Sequence, residues 1–147
     1  MPSTIYKARF HTHTTVPLPS ASDLAGLYRT ISGGHAISSG FLYGIVAQGE
    51  MMIIEITNNK LFVEYMKKLG IDNYDSFKKY YEKNILFTNN YKYDYNGVYN
   101  YLLGSNSGMN IYTASSTITD GVFADSWSVV NKTTSGVTLN DCSNPQQ

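Results

Sequence analysis

The sequence predicts an α/β protein with a mixed, partly antiparallel sheet flanked by helices, and three observations carry that expectation. Runs of strand length rich in β-branched and aromatic residues occupy 41–47 and 51–57. They alternate with segments whose apolar residues recur every three or four positions, as Leu61, Phe62, Tyr65, Met66 and Leu69 do. Glycine and asparagine mark the changes between the two patterns. The expected order is strand, helix, two strands, three helices, three strands, which is one layered α/β unit.

A first strand runs through Ala8, Arg9 and Phe10 to His13 and sends alternate side chains to the same face. Over 20–32 the apolar positions Leu24, Leu27, Tyr28 and Ile31 stand at helical spacing, and Gly33-Gly34 supplies the stop. Gln48-Gly49-Glu50 is a tight turn between 41–47 and 51–57. That hairpin is expected in the middle of the sheet, with Met51, Met52, Ile53 and Ile54 buried on both faces. Helices are expected over 58–69, ending at Gly70, and over 73–84, with Tyr74, Phe77, Tyr80 and Tyr81 as the second apolar stripe. Tyr99, Leu102 and Leu103 form the inner face of a short helix, while the tyrosines before it cover a surface, since a stacking platform for bases would need basic charge around it. A strand follows over 109–113. A closing hairpin over 122–130 and 137–139, carrying Trp127, turns near 134–136.

The chain of 147 residues has room for one domain, expected over 1–142 and truncated at its N-terminal side, with 143–147 a frayed tail. Eleven basic residues balance eleven acidic ones, which excludes a broad electrostatic footprint for nucleic acid or an anionic membrane. The lysines of the two central helices are interspersed with Glu64, Asp72, Asp75 and Glu82, a solvated face and not a nucleic-acid stripe. No apolar run approaches the roughly 20 residues that span a bilayer, and the first ten residues lack a signal-peptide core. The compartment stays open between the cytoplasm and secretion as part of a larger protein. The single cysteine, Cys142, excludes an internal disulfide and any cysteine-based zinc cluster. Neither Ile31-Ser32-Gly33-Gly34 nor the glycines at 104 and 108 have the lysine or following helix of a phosphate loop.

Chemistry concentrates in His11-Thr12-His13 and Ser20-Ala21-Ser22-Asp23. Two histidines two apart on a strand share a face, and the loop from Thr14 to Pro19 is long enough to bring the first helical turn back over them. His11, His13 and Asp23 then make a three-ligand Zn2+ site. Its fourth tetrahedral position is left to water, the open arrangement of catalytic zinc.

Phe10-His11-Thr12-His13 and Pro19-Ser20-Ala21-Ser22-Asp23, followed by an apolar helix and a hydrophobic strand, resemble the JAB/MPN (JAMM) metalloprotease superfamily, in particular its divergent bacterial, phage-associated and toxin-associated domains. The resemblance implies a JAB/MPN-like fold with cytidine-deaminase-like layers, zinc held by His11, His13 and Asp23, and Ser20 as the catalytic donor to the oxyanion. It implies hydrolysis of an amide bond in a peptide or protein substrate. Two departures stand out: the interval between His13 and Ser20 is one residue shorter than is usual, with Thr14 where a proline is common, and no glutamate precedes His11. The glutamate that serves the family as general base is therefore expected from a segment upstream of this chain. Glu55, among the apolar residues of the second hairpin strand, reads as an ordinary outward-facing residue.

Three other readings stand beside this one. Ser20 and Asp23 also fit a helix cap, in which the serine oxygen accepts from the third helical amide, and both roles are compatible. The chain also reads as an inactive JAB-fold module that keeps the metal or binds a protein inside a larger polypeptide, or as a small interaction domain in which the histidines never meet Asp23. His35, the remaining histidine, reads as a loop residue.

Overall fold

The computed structural model describes residues 5–119 and 122–142, so the expected tail at 143–147 lies outside the described residues. Its six strands follow one another across a single sheet: β1 (Ala8–Thr12), β2 (Phe41–Ala47), β3 (Glu50–Ile56), β4 (Met109–Thr119), β5 (Val122–Thr133) and β6 (Gly136–Asp141). β1 pairs parallel to β2, and every later pairing is antiparallel. The sheet is therefore mixed, as the sequence predicts. The parallel pair needs a crossover, which α1 (Ala21–Ser32) provides. Three more α-helices, α2 (Asn59–Lys68), α3 (Tyr74–Tyr81) and α4 (Tyr95–Leu102), lie between β3 and β4.

Local chemistry starts each helix. Ser20, Asn58, Asn73 and Asp94 stand at the N-caps, and each side chain accepts an amide of its first turn. After α1 the chain reverses through Gly34 at φ 73°, a conformation open to glycine at little cost.

One face of the sheet forms the core. Phe41, Tyr43 and Ile45 of β2 lie opposite Ile56, Ile54 and Met52 of β3, and Met109 and Ile111 of β4 continue that face. These side chains pack with Leu24, Leu27 and Ile31 of α1, Phe62 and Met66 of α2, Phe77 and Tyr81 of α3, and Val98 and Leu102 of α4. Fully burying one such leucine or isoleucine contributes about 1.5–3 kcal/mol.

The expectation that Met51, Met52, Ile53 and Ile54 are buried on both faces is corrected. Burial along β3 alternates, with Met52, Ile54 and Ile56 inside and Met51, Ile53 and Glu55 only half-buried. The core packs against one face, so the opposite row remains in contact with water. The hairpin β2–β3 occupies the second and third of the six places, so both strands are interior and β3 is one of the central pair.

The helix expected over 73–84 also differs. α3 stops at Tyr81, and Glu82–Leu86 continues as one turn of π-helix. Five-residue hydrogen-bond spacing returns Leu86 towards the side of Tyr81, so that both are buried, which α-helical spacing would not achieve. β4 and β5 extend well beyond the expected 109–113 and 122–130, pairing from Ile111–Val130 to Thr119–Val122.

Candidate metal centre

β1 is an edge strand, and in its register with β2 His11 stands opposite Ile45. Arg9, His11 and His13 share the face that looks towards α1, while Ala8, Phe10 and Thr12 share the other. The strand's last pairing, from the His13 amide to the Val46 carbonyl at 2.8 Å, fixes the second histidine in line with the first. Beyond it the chain turns through Thr14, whose carbonyl accepts from the Gln48 amide group, and buries Pro17, Leu18 and Pro19. Tyr81 donates its hydroxyl to the Pro19 carbonyl at 2.8 Å from beneath the sheet. The start of α1 is thereby anchored over β1.

Ser20 and Asp23 form the expected capping box. The Asp23 amide donates to Ser20 Oγ at 3.1 Å, and the Ser20 amide donates to Asp23 Oδ2 at 2.7 Å. The same carboxylate faces both histidines: His11 Nε2 lies 3.2 Å from Oδ1 and His13 Nε2 lies 3.1 Å from Oδ2. The two Nε2 atoms are 2.9 Å apart. The cap engages Oδ2, which accepts from the Ser20 amide and hydroxyl, while Oδ1 faces His11 with no cap partner, so one aspartate both caps the helix and approaches the rings.

These distances fit a metal ion. Ligand atoms bonded to zinc at about 2.0–2.1 Å stand about 3.3–3.4 Å apart in a tetrahedron. Each ring lies near that distance from a different carboxylate oxygen, one ligand atom from each residue falls within 4.8 Å of the others, and the two rings would have to part slightly to admit the ion. His13 Nδ1 lies 3.2 Å from the Val16 carbonyl, to which its proton is assigned on hydrogen-bonding grounds. The Nε2 of a neutral His13 then presents a lone pair to a carboxylate and to another imidazole, a meeting that requires a proton or a cation between them. Burial lowers the His11 pKa, Asp23 opposes that shift, and His13 and Arg9 reinforce it.

Ser20 Oγ donates to Asp23 Oδ2 at 2.8 Å, so its proton is engaged with the aspartate that faces the two rings. Glu55 lies on the opposite face of the sheet, accepting from Asn110 and Tyr112, as expected of an outward-facing residue. Among the described residues no glutamate joins His11, His13 and Asp23 in a metal-sized cluster. His35 is exposed after α1, outside that cluster.

Tyr43 was not singled out by the sequence. Its ring packs on His11 with centroids 5.3 Å apart. Burial first, then the Asp23 carboxylate, pushes its hydroxyl pKa far above the ordinary value. The available signal was alternation: Tyr43 precedes Ile45 by two and therefore shares the core face of β2.

Comparison with protein-family models, with curated proteins and with solved structures found no match for the chain.

Proposed function

We propose that this chain is a JAB-like zinc-binding domain that hydrolyses amide bonds in peptides. The observation that carries the reading is the convergence of His11 Nε2, His13 Nε2 and the Asp23 carboxylate within 3.2 Å of one another, on a strand end and a helix start. Zinc held there would polarise an amide carbonyl and lower the pKa of water. The protein's part is to fix the three ligands: Val16 sets the His13 tautomer, and the capping box orients Asp23. Ser20 is the donor for the oxyanion, provided its hydroxyl turns from Asp23 to the substrate. The reading also requires a general base besides these four residues, to take the proton from water and pass it to the departing amine.

A second reading is favoured by the engagement of Ser20 with Asp23 and by the absence of a glutamate from the described cluster. In it the domain keeps the metal without turnover, as a module of a larger bacterial or phage protein. Elemental analysis of the purified chain and of His13→Ala, followed by a peptide-hydrolysis assay, separates the two. One zinc per chain that is lost in the variant, together with hydrolysis, supports the enzyme. Zinc without hydrolysis supports the module, and no stoichiometric zinc in the parent rejects both.

A further inference from the structure

Against β1 and α1 lies an open depression of about 380 Å³ lined by Tyr6, Arg9, Gly26, Arg29, Thr30 and His35. Arg9 precedes His11 by two on the same strand face, and Gly26 follows Asp23 by three on the same side of α1. The depression and the metal centre are thus neighbours along β1 and α1. The floor of the depression is open because Gly26 has no side chain, and an Arg29 guanidinium nitrogen lies 4.0 Å from where a Cβ would stand. Among the described residues neither Arg9 nor Arg29 forms an ion pair, and no carboxylate lines the depression. Two unpartnered guanidinium forks and an imidazole in one hollow of a chain with zero net charge constitute a local anion site.

We propose that this depression binds the free C-terminal carboxylate of a peptide, so that the amide delivered to His11, His13 and Asp23 lies one or two residues from the end of the substrate. The inference rests on the hydrolase reading above and narrows it to C-terminal trimming. A planar carboxylate matches paired guanidinium forks. The depression lies against the C-terminal half of α1, where the helix dipole opposes negative charge, and it opposes a phosphate dianion more than a singly charged carboxylate. Same-face neighbours on a strand stand about 7 Å apart, which one or two residues of extended peptide span. Cleavage consumes one water. Its oxygen bonds to the carbonyl carbon, the C–N bond breaks with its electron pair on nitrogen, and a proton passes to the departing amine.

The test titrates N-acetyl-alanyl-alanine and its C-terminal amide into the full chain without and with zinc, followed by amide chemical shifts. The acid is expected to bind roughly tenfold or more tightly than the amide, the difference a charge-assisted pair supplies. Arg29→Gln and Arg9→Gln should each erase the preference, and Arg29→Gln should leave zinc content unchanged. Equal affinities, binding of neither peptide at millimolar concentration, a preference that survives in the double variant, or tighter binding of inorganic phosphate overturns the proposal. A chain that prefers the acid yet retains no zinc defeats the hydrolase reading alone; one that holds zinc and ignores the carboxylate defeats this inference alone.

Discussion

The Ser20 hydroxyl donates to Asp23 Oδ2 at 2.8 Å while Ser20 Oγ accepts the Asp23 amide at 3.1 Å, so that cap and ligand orientation depend on one side chain. The family resemblance divides the two residues, with Asp23 on the metal and Ser20 on the oxyanion, and the hydrogen bonds join them. Ser20→Ala is expected to cost about 1 kcal/mol of stability through the lost cap. It should also weaken zinc affinity roughly tenfold, as loss of a partner that orients a ligand does. Ser20→Thr, which keeps an oxygen in place, should restore both. Denaturant unfolding and competition with a zinc chelator measure the two effects; unaltered zinc affinity in Ser20→Ala would return the residues to separate roles.

Gly44 lies opposite Phe10 in the β1–β2 register, and a Cβ there would run into the Phe10 ring. The ring is half exposed and covers Gly44 from the outer face, holding the edge strand down. Gly44→Ala is expected to displace Phe10 and destabilise the chain by about 1–3 kcal/mol, the range for overpacking. Because Phe10 adjoins His11, zinc affinity should fall with it. Adding Phe10→Ala to Gly44→Ala should remove the clash and recover part of both losses. A double variant no better than the single one would show that the clash is not the cause.

Short-range chemistry made most of this legible in the sequence. Strand alternation placed His11 and His13 on one face, and the spacing of Ser20 and Asp23 gave the cap. The proximity of Asp23 to the rings was an expectation of the same kind, since it needed only a short loop to return. What escaped depends on partners far away in the chain. Tyr81 reaches Pro19 across 62 positions, and nothing local announces it. The half-buried row Met51, Ile53 and Glu55 could not be told from a buried strand, because a continuous apolar run looks the same whether one face or two are covered. The π turn at Glu82–Leu86 is set by the need to bury both Tyr81 and Leu86 against elements that the helix pattern does not contain.

Several tyrosines should make the protein sensitive to alkali. Burial, reinforced by Glu50, raises the Tyr95 hydroxyl to about 12, and burial with neighbouring Tyr65 and Tyr80 raises Tyr101 to about 12. Tyr81 and Tyr99 are shifted in the same direction. The folded chain thus holds protons that the unfolded chain releases near pH 10, so unfolding becomes easier as those protons are drawn off. The stabilisation is complete below about pH 10 and is lost as pH rises through about 12. Urea midpoints measured from pH 8 to 12 should stay level and then fall beyond pH 10, less steeply in Tyr95→Phe combined with Tyr101→Phe. A level profile to pH 12 would contradict the shifts.

Tyr81 ties the helical layer to the loop that brings Asp23 to the histidines. It is fully buried on α3, stacks with Phe77 at a centroid distance of 5.8 Å, and donates to the carbonyl immediately before Ser20. Tyr81→Phe keeps the ring and removes the donor, leaving the Pro19 carbonyl without that partner in the interior, a loss of about 1–3 kcal/mol. The loop 14–19 then loses the anchor that sets the approach of α1 to β1, so zinc affinity is expected to fall by roughly tenfold even though no ligand has changed. Tyr65→Phe serves as the comparison, because its hydroxyl bonds to the Tyr101 carbonyl, away from that loop. It should lower stability by a similar amount and leave zinc binding intact. If both variants lose zinc equally, the effect belongs to general destabilisation; loss in Tyr81→Phe alone places it in the Pro19 contact.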